Sequence, residues 1–163
     1  METTVQTAVK TSKRETWQSL GIIAVFIFGL SIYLQANKPD LWKVTDSFQI
    51  GRMTLYGHEG KFGIVKVSNP TDTLFKANRG GLYYLYFWGR ESDMTGKYKL
   101  TATHKDSGQT VQLYEWPITK GSNDAGATAQ SGGRFGLSSP GLWKLEVFLN
   151  DKPFDKLIVD VKP

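Results

Sequence analysis

Cysteine is absent from the 163-residue chain. Its absence excludes a disulfide framework, a thiolate zinc site, a cysteine nucleophile and a lipidated cysteine. Histidine is scarce: only His58 and His104 occur, and their separation assembles no zinc ligand set. No G-x-x-x-x-G-K-[ST] or G-x-G-x-x-G loop is present, and no G-x-S-x-G elbow marks a serine nucleophile. The chain also lacks any run of basic residues, although its formal net charge is +5. Residues 36–163 carry 17 Lys+Arg against 13 Asp+Glu, a scattered excess of +4. A nucleic-acid surface shows a basic stripe or a recognisable module, so no nucleic-acid partner is expected.

One long apolar run is present. Leu20–Leu34 reads LGIIAVFIFGLSIYL without a charge, and extension to Trp17 and Gln35 makes nineteen residues. A bilayer core takes a helix of about 20 residues, so the segment is just long enough to span. Trp17 and Tyr33 stand near its ends, where amphipathic rings favour the membrane interface. Lys10, Lys13 and Arg14 precede it, while Lys38 and Lys43 follow. That bias places the N-terminus inside and the remainder outside. A cleaved signal peptide is the alternative, but the site before Asn37 has Leu34 at −3, which fits poorly. The expected organisation is a cytoplasmic tail over 1–16, a single-pass signal-anchor over 17–35, a tether over 36–41 and an extracytoplasmic domain over 42–163.

Beyond residue 41 the pattern becomes short apolar alternations between turn residues. In Lys97–His104, Tyr98, Leu100 and Ala102 share one face and the polar residues the other. Leu142–Leu149 turns Trp143, Leu145, Val147 and Leu149 inward, and Phe154–Val161 does the same with Leu157, Val159 and Val161. The intervening NDKP predicts a hairpin turn. Arg52–Tyr56, Phe62–Val67, Leu82–Trp88 and Thr110–Trp116 are further strands. The expected fold class is all-β, an antiparallel immunoglobulin-like sandwich of about 7–8 strands preceded by one N-terminal transmembrane helix. A small β-barrel is the alternative. Residues 119–134 hold four Gly, three Ala and few bulky apolar groups, and read as a long surface loop.

Two stretches carry a family resemblance. LYYLYFWG at 82–89, followed by GKYKLTATHKDSGQ, is one; the segment 121–141 leading into PGLWKLEVFLND is the other. Their most specific marks are Phe87-Trp88-Gly89, Asn123-Asp124-Ala125 and Pro140-Gly141-Leu142-Trp143. Residues 55–163 resemble a family of uncharacterised secreted or lipid-anchored proteins of Bacillus-like Gram-positive bacteria. The resemblance implies an immunoglobulin-like β-sandwich outside the cytoplasm and assigns no activity. Family members carry histidines near the first motif and in the loop, where this chain has Tyr and Thr or Gln, so no metal role carries over.

Aromatics are in excess, and Leu82–Trp88 carries them on both faces. Tyr84, Tyr86 and Trp88 share one face, which is either an exposed platform for a sugar or protein, or a face covered by a loop. Trp116, before Pro117 at a strand end, is a candidate rim contact. Asn123 and Asp124 offer oxygens, but calcium wants six to eight of them, and a flexible loop is the preferred reading. The candidate binding surface is therefore Tyr84, Tyr86, Trp88, Trp116, Asn123 and Asp124. No catalytic residue, cofactor or metal is expected. The expected role is that of an uncharacterised membrane-anchored module docking on a cell-envelope protein. A cell-wall carbohydrate-binding module comes next, and an inhibitor or enzyme last.

Overall fold

The computed structural model describes residues 40–67 and 74–163, together with Ile27. The expected span 17–35 therefore lies outside the described residues but for Ile27. Among the described residues no helix is long and apolar enough to cross a membrane. Trp42–Pro163 forms one compact unit.

Among its described residues that unit is an antiparallel all-β sandwich of ten strands. The first five are β1 (Ser47–Ile50), β2 (Met53–His58), β3 (Phe62–Lys66), β4 (Gly81–Phe87) and β5 (Lys97–His104). They are followed by β6 (Thr110–Pro117), β7 (Thr119–Lys120), β8 (Ala129–Phe135), β9 (Gly141–Leu149) and β10 (Lys152–Val161). Sheet 1 runs β1-β2-β3-β4-β8-β7 and sheet 2 runs β10-β9-β5-β6. The two sheets are separate, so the barrel alternative is not the fold.

The alternation seen in the sequence is realised strand by strand. Tyr98, Leu100 and Ala102 of β5 are buried, as are Trp143, Leu145, Val147 and Leu149 of β9. The β9–β10 connection has Asn150 and Asp151 at φ 48° and 63°, with Leu149 paired to Lys152. Both central residues of a type I′ turn need positive φ, and Asn and Asp tolerate it best after glycine.

Seven of the twenty buried residues in the core between the sheets are aromatic. Tyr83 stacks on Phe75 at 5.1 Å and on Phe135 at 4.4 Å, while Phe87 meets Phe62 at 5.3 Å and Tyr98 at 5.8 Å. Each such ring contributes about 1.5–3 kcal/mol through burial. Their polar tips stay satisfied: Tyr98 donates to the Gly132 carbonyl and the Trp143 indole to the Ser139 carbonyl.

Three strands were not expected. β1 and β7 are four and two residues long, below what periodicity detects. β8 corrects the reading of 119–134 as one long loop; the loop proper is the segment 121–128. The cause is close packing. A Cβ on Gly133 would stand 2.8 Å from a Tyr114 ring carbon and 3.0 Å from the Tyr98 hydroxyl. β8 is poor in bulky side chains because rings of the facing sheet fill that space.

Gly133→Ala is therefore expected to destabilise the domain by about 1–3 kcal/mol through overpacking. Gly80→Ala, whose Cβ would meet nothing nearer than 3.8 Å, should stay within about 0.5 kcal/mol. Urea unfolding followed by tryptophan fluorescence compares the two.

Candidate functional site

A strand with one buried face needs only one apolar face. β4 has two. Tyr83, Leu85 and Phe87 point into the core, and Tyr84, Tyr86 and Trp88 lie on the outer side of sheet 1. The strands beside it accommodate those rings with glycine: Tyr86 faces Gly63 on β3, and Tyr84 faces Gly132 on β8. Gly63 is needed for a second reason. A Cβ there would approach Leu55 to 2.9 Å and Phe48 to 3.0 Å, so its absence lets the side chains of β1 and β2 fold over the sheet.

The outcome is a second apolar layer. Leu55, Tyr86, Ala125 and Ala127 are buried, with Phe48, Ile50, Met53, Val65 and Trp88 packed around them. The β1–β2 ribbon gives part of the cover and the 121–128 loop the rest, though the loop supplies only two alanine methyls. The loop is held instead by hydrogen bonds. Asn123 Oδ1 accepts from the backbone N–H of Ala125 and Ala127, and its Nδ2 donates to the carbonyls of Gly121 and Ala127. Thr128 Oγ1 clips the loop to the end of β4, donating to the Gly89 carbonyl at 2.9 Å and accepting from its N–H. Burial first, then the Asp124 carboxylate and Tyr84, raises the pKa of the Tyr86 phenol.

The six sequence candidates separate on this surface. Five gather on the outer side of sheet 1, where the loop brings Asn123 and Asp124 to β4, and Trp116 stands apart on β6. The rings do not form one exposed platform. Tyr84 is 46% exposed, Tyr86 is 4% exposed, and Trp88 is half-buried. Tyr86 and Trp88 are tilted at 39°, and Phe48 meets Trp88 edge-on at 65°. Asn123 spends its amide on the loop's own backbone, which makes it an organiser of the loop. Asp124 remains exposed. Among the described residues no group of three or more His, Cys, Asp or Glu is placed to hold a metal ion. Trp116 is 57% exposed at the edge of sheet 2, 6.2 Å from Tyr114.

Sequence reasoning missed one constellation. Asp155 on β10 has a side chain only 5% exposed and binds both His58 Nδ1 at 2.9 Å and Lys61 Nζ at 3.2 Å. A register shift between Pro153 and Asp155 re-aims β10 there. The partners lie 97 residues apart, so no local signal pointed to them. The group joins sheet 1 to sheet 2. A His–Asp pair is also the orienting half of a hydrolytic triad, which needs a hydroxyl or thiol to attack; no hydroxyl joins this imidazole among the described residues. His104 is likewise engaged, accepting or donating at Ser107 and donating to the Pro140 carbonyl, with its ring 4.8 Å from Trp143.

The outer face of sheet 2 has a different character. Lys97 pairs with Glu115, Lys99 with Asp151, and Lys144 with Glu146. Such exposed pairs contribute little to stability and mark a solvated face.

Comparison with known proteins gives a family and a fold. The sequence model of a family described as "Domain of unknown function (DUF4871)" matches residues 33–159. A crystal structure described as a "Putative Lipoprotein from Bacillus anthracis" is similar in fold, with a TM-score of 0.58 at 23% identity over 79% of this chain and 92% of that one. No curated protein matches the chain.

Asn123→Ala removes the side-chain bonds that order the loop, so a loss of about 1–3 kcal/mol is expected. Hydrogen exchange should quicken first at the Ala125 and Ala127 amides. The raised Tyr86 pKa gives a second expectation. The folded state holds that proton more tightly than the unfolded chain does. Its contribution is complete below the unfolded value of about 10 and is lost as pH rises through the folded value. Alkaline titration of tyrosinate absorbance, with Trp88 fluorescence as the local reporter, should show the outer layer loosening in the wild type. Tyr86→Phe should abolish that local transition.

Proposed function

The chain belongs to the DUF4871 family, and from that premise we propose that it is a non-catalytic interaction module tethered at the outer face of the cell membrane. In this reading residues 17–35 span the bilayer, 1–16 stay in the cytoplasm, 36–41 form the tether, and the sandwich docks an envelope protein. The strand order supports an immunoglobulin-like arrangement. β3-β4-β8-β7 against β10-β9-β5-β6 follows the immunoglobulin pairing of A-B-E-D against G-F-C, with β6 extending the second sheet and β1–β2 the first. The similar structure described as a "Putative Lipoprotein" supports an extracytoplasmic, membrane-held location. This sequence has no cysteine to carry a lipid, so the apolar segment takes over the anchoring.

The observation that carries the docking role is the aromatic outer face of sheet 1. Exposed Tyr84 borders the layer of Tyr86, Trp88 and Phe48. Aromatic residues beside a packed apolar layer suit the centre of a protein interface, because they combine rigid area with a polar handle. The wall-glycan reading keeps one observation of its own, the exposed Trp116 beside Tyr114.

Cross-linking capture from native membranes tests the reading, with the 1–35 deletion as control. Full-length protein should recover a defined envelope protein and the deletion should not. Tyr84→Ala should weaken that recovery at least tenfold, equivalent to about 1.4 kcal/mol, with folding unchanged. Retention of glycan by both forms, lost in Trp116→Ala and unaffected by Tyr84→Ala, would put the glycan reading in its place.

A further inference from the structure

One end of the sandwich is basic. The β5–β6 turn, the 76–79 turn, the 138–140 segment and the end of β10 meet there. The Ala77 N–H donates to the Lys162 carbonyl at 2.8 Å, and the Asn78 N–H to the Leu137 carbonyl at 2.9 Å. The Lys105 N–H donates to the Leu142 carbonyl at 2.9 Å, and Gly141 pairs with Val161. Within the compact unit Lys43, Lys76, Arg79, Lys105 and Lys162 are exposed at this end, against Asp106 and Asp160, the latter paired with Lys162, so five bases meet two acids there. That excess of three is most of the +4 carried by residues 36–163. At the opposite end the turns carry Glu59, Glu91, Asp93, Asp124 and Asp151, which offset the bases beside them.

The basic end is also where the chain joins the domain. Trp42, the first residue of the compact unit, has its ring 5.9 Å from Lys105 Nζ. Val44, two residues on, is exposed.

We propose that this basic end is a docking surface for the anionic headgroups of a lipid bilayer. The inference rests on the tethered reading given above. A six-residue tether over 36–41 spans at most about 20 Å. It would keep the entry end of the domain close to the bilayer, where attraction to anionic headgroups acts within a Debye length of about 8–10 Å. Tethering makes the encounter intramolecular, so scattered lysines suffice where a soluble domain would need a dense patch. Trp42 is of the residue type that settles at headgroup depth. Docking by this end leaves the outer face of sheet 1, at the side of the sandwich, open to a protein partner.

The test uses the full chain reconstituted into vesicles, either of phosphatidylcholine alone or with roughly one-third phosphatidylglycerol. A membrane-impermeant acylating reagent followed by mass spectrometry reads each lysine of the outward-facing domains. Lys43, Lys76 and Lys105 should be labelled at least about threefold more slowly in the anionic vesicles, with Lys61 and Lys152 unchanged, and high salt should erase the difference. The double variant Lys76→Glu, Arg79→Glu should lose the protection of Lys43 and Lys105. An alkaline carbonate wash reports the tether separately. Equal labelling in both lipids by protein that survives the wash overturns the docking surface and leaves the tether standing. Protein removed by the wash overturns the tether and the docking surface with it.

Discussion

The organising constraint of this domain is a strand that is apolar on both faces and must be covered on both. β4 presents Tyr83, Leu85 and Phe87 to one side and Tyr84 and Tyr86 to the other, where Trp88, the next residue, joins them. Sheet 2 covers the first side, and the aromatic core follows. No second sheet is available for the other side. The cover there is improvised from the β1–β2 ribbon and the 121–128 loop. Glycines at 63 and 132 stand opposite the outer rings of β4, and Gly133 leaves room for Tyr98 and Tyr114 of the facing sheet.

The two layers are held by different physics. The inner layer rests on ring-on-ring contact and complete burial, with the Asp155 carboxylate joining His58 and Lys61 across the sheets. In the outer layer Leu55, Phe48 and Met53 of the β1–β2 ribbon pack on Tyr86, while the 121–128 loop adds two alanine methyls and is held by the hydrogen bonds of Asn123 and Thr128. Segments with few apolar contacts and exposed hydrogen bonds are those that open at the lowest free energy. The surface proposed for docking thus includes the loop most easily rearranged, next to a core that is not.

How much was legible in the sequence follows from the range of each signal. Seven strands were legible, three through alternation and four as short apolar runs between turn residues, and Lys97–His104 was read to the residue. The NDKP turn was legible because the residues at positive φ are of the types that tolerate it. β8 was not legible: its glycines exist for the sake of Tyr98 and Tyr114, which lie on other strands. Of the six candidate residues, five share one surface, yet sequence could not say that Tyr86 would be covered or that Asn123 would spend its amide on its own loop. The His58–Asp155 pair escaped altogether, since a separation of 97 residues leaves no local trace.

The sequence by itself determined the all-β class, the inward faces of the long strands, the closing hairpin and the exclusion of thiol chemistry. Each depends on residue type and on spacing within a single element. Tertiary structure alone decided which side of β4 would be covered and by what, where glycine was obligatory, and which charges collect at the end where the chain enters. Those outcomes depend on which elements become neighbours. Strand neighbours here are set by pairing between distant segments, and the two-residue alternation that makes a strand recognisable carries no information about its partner.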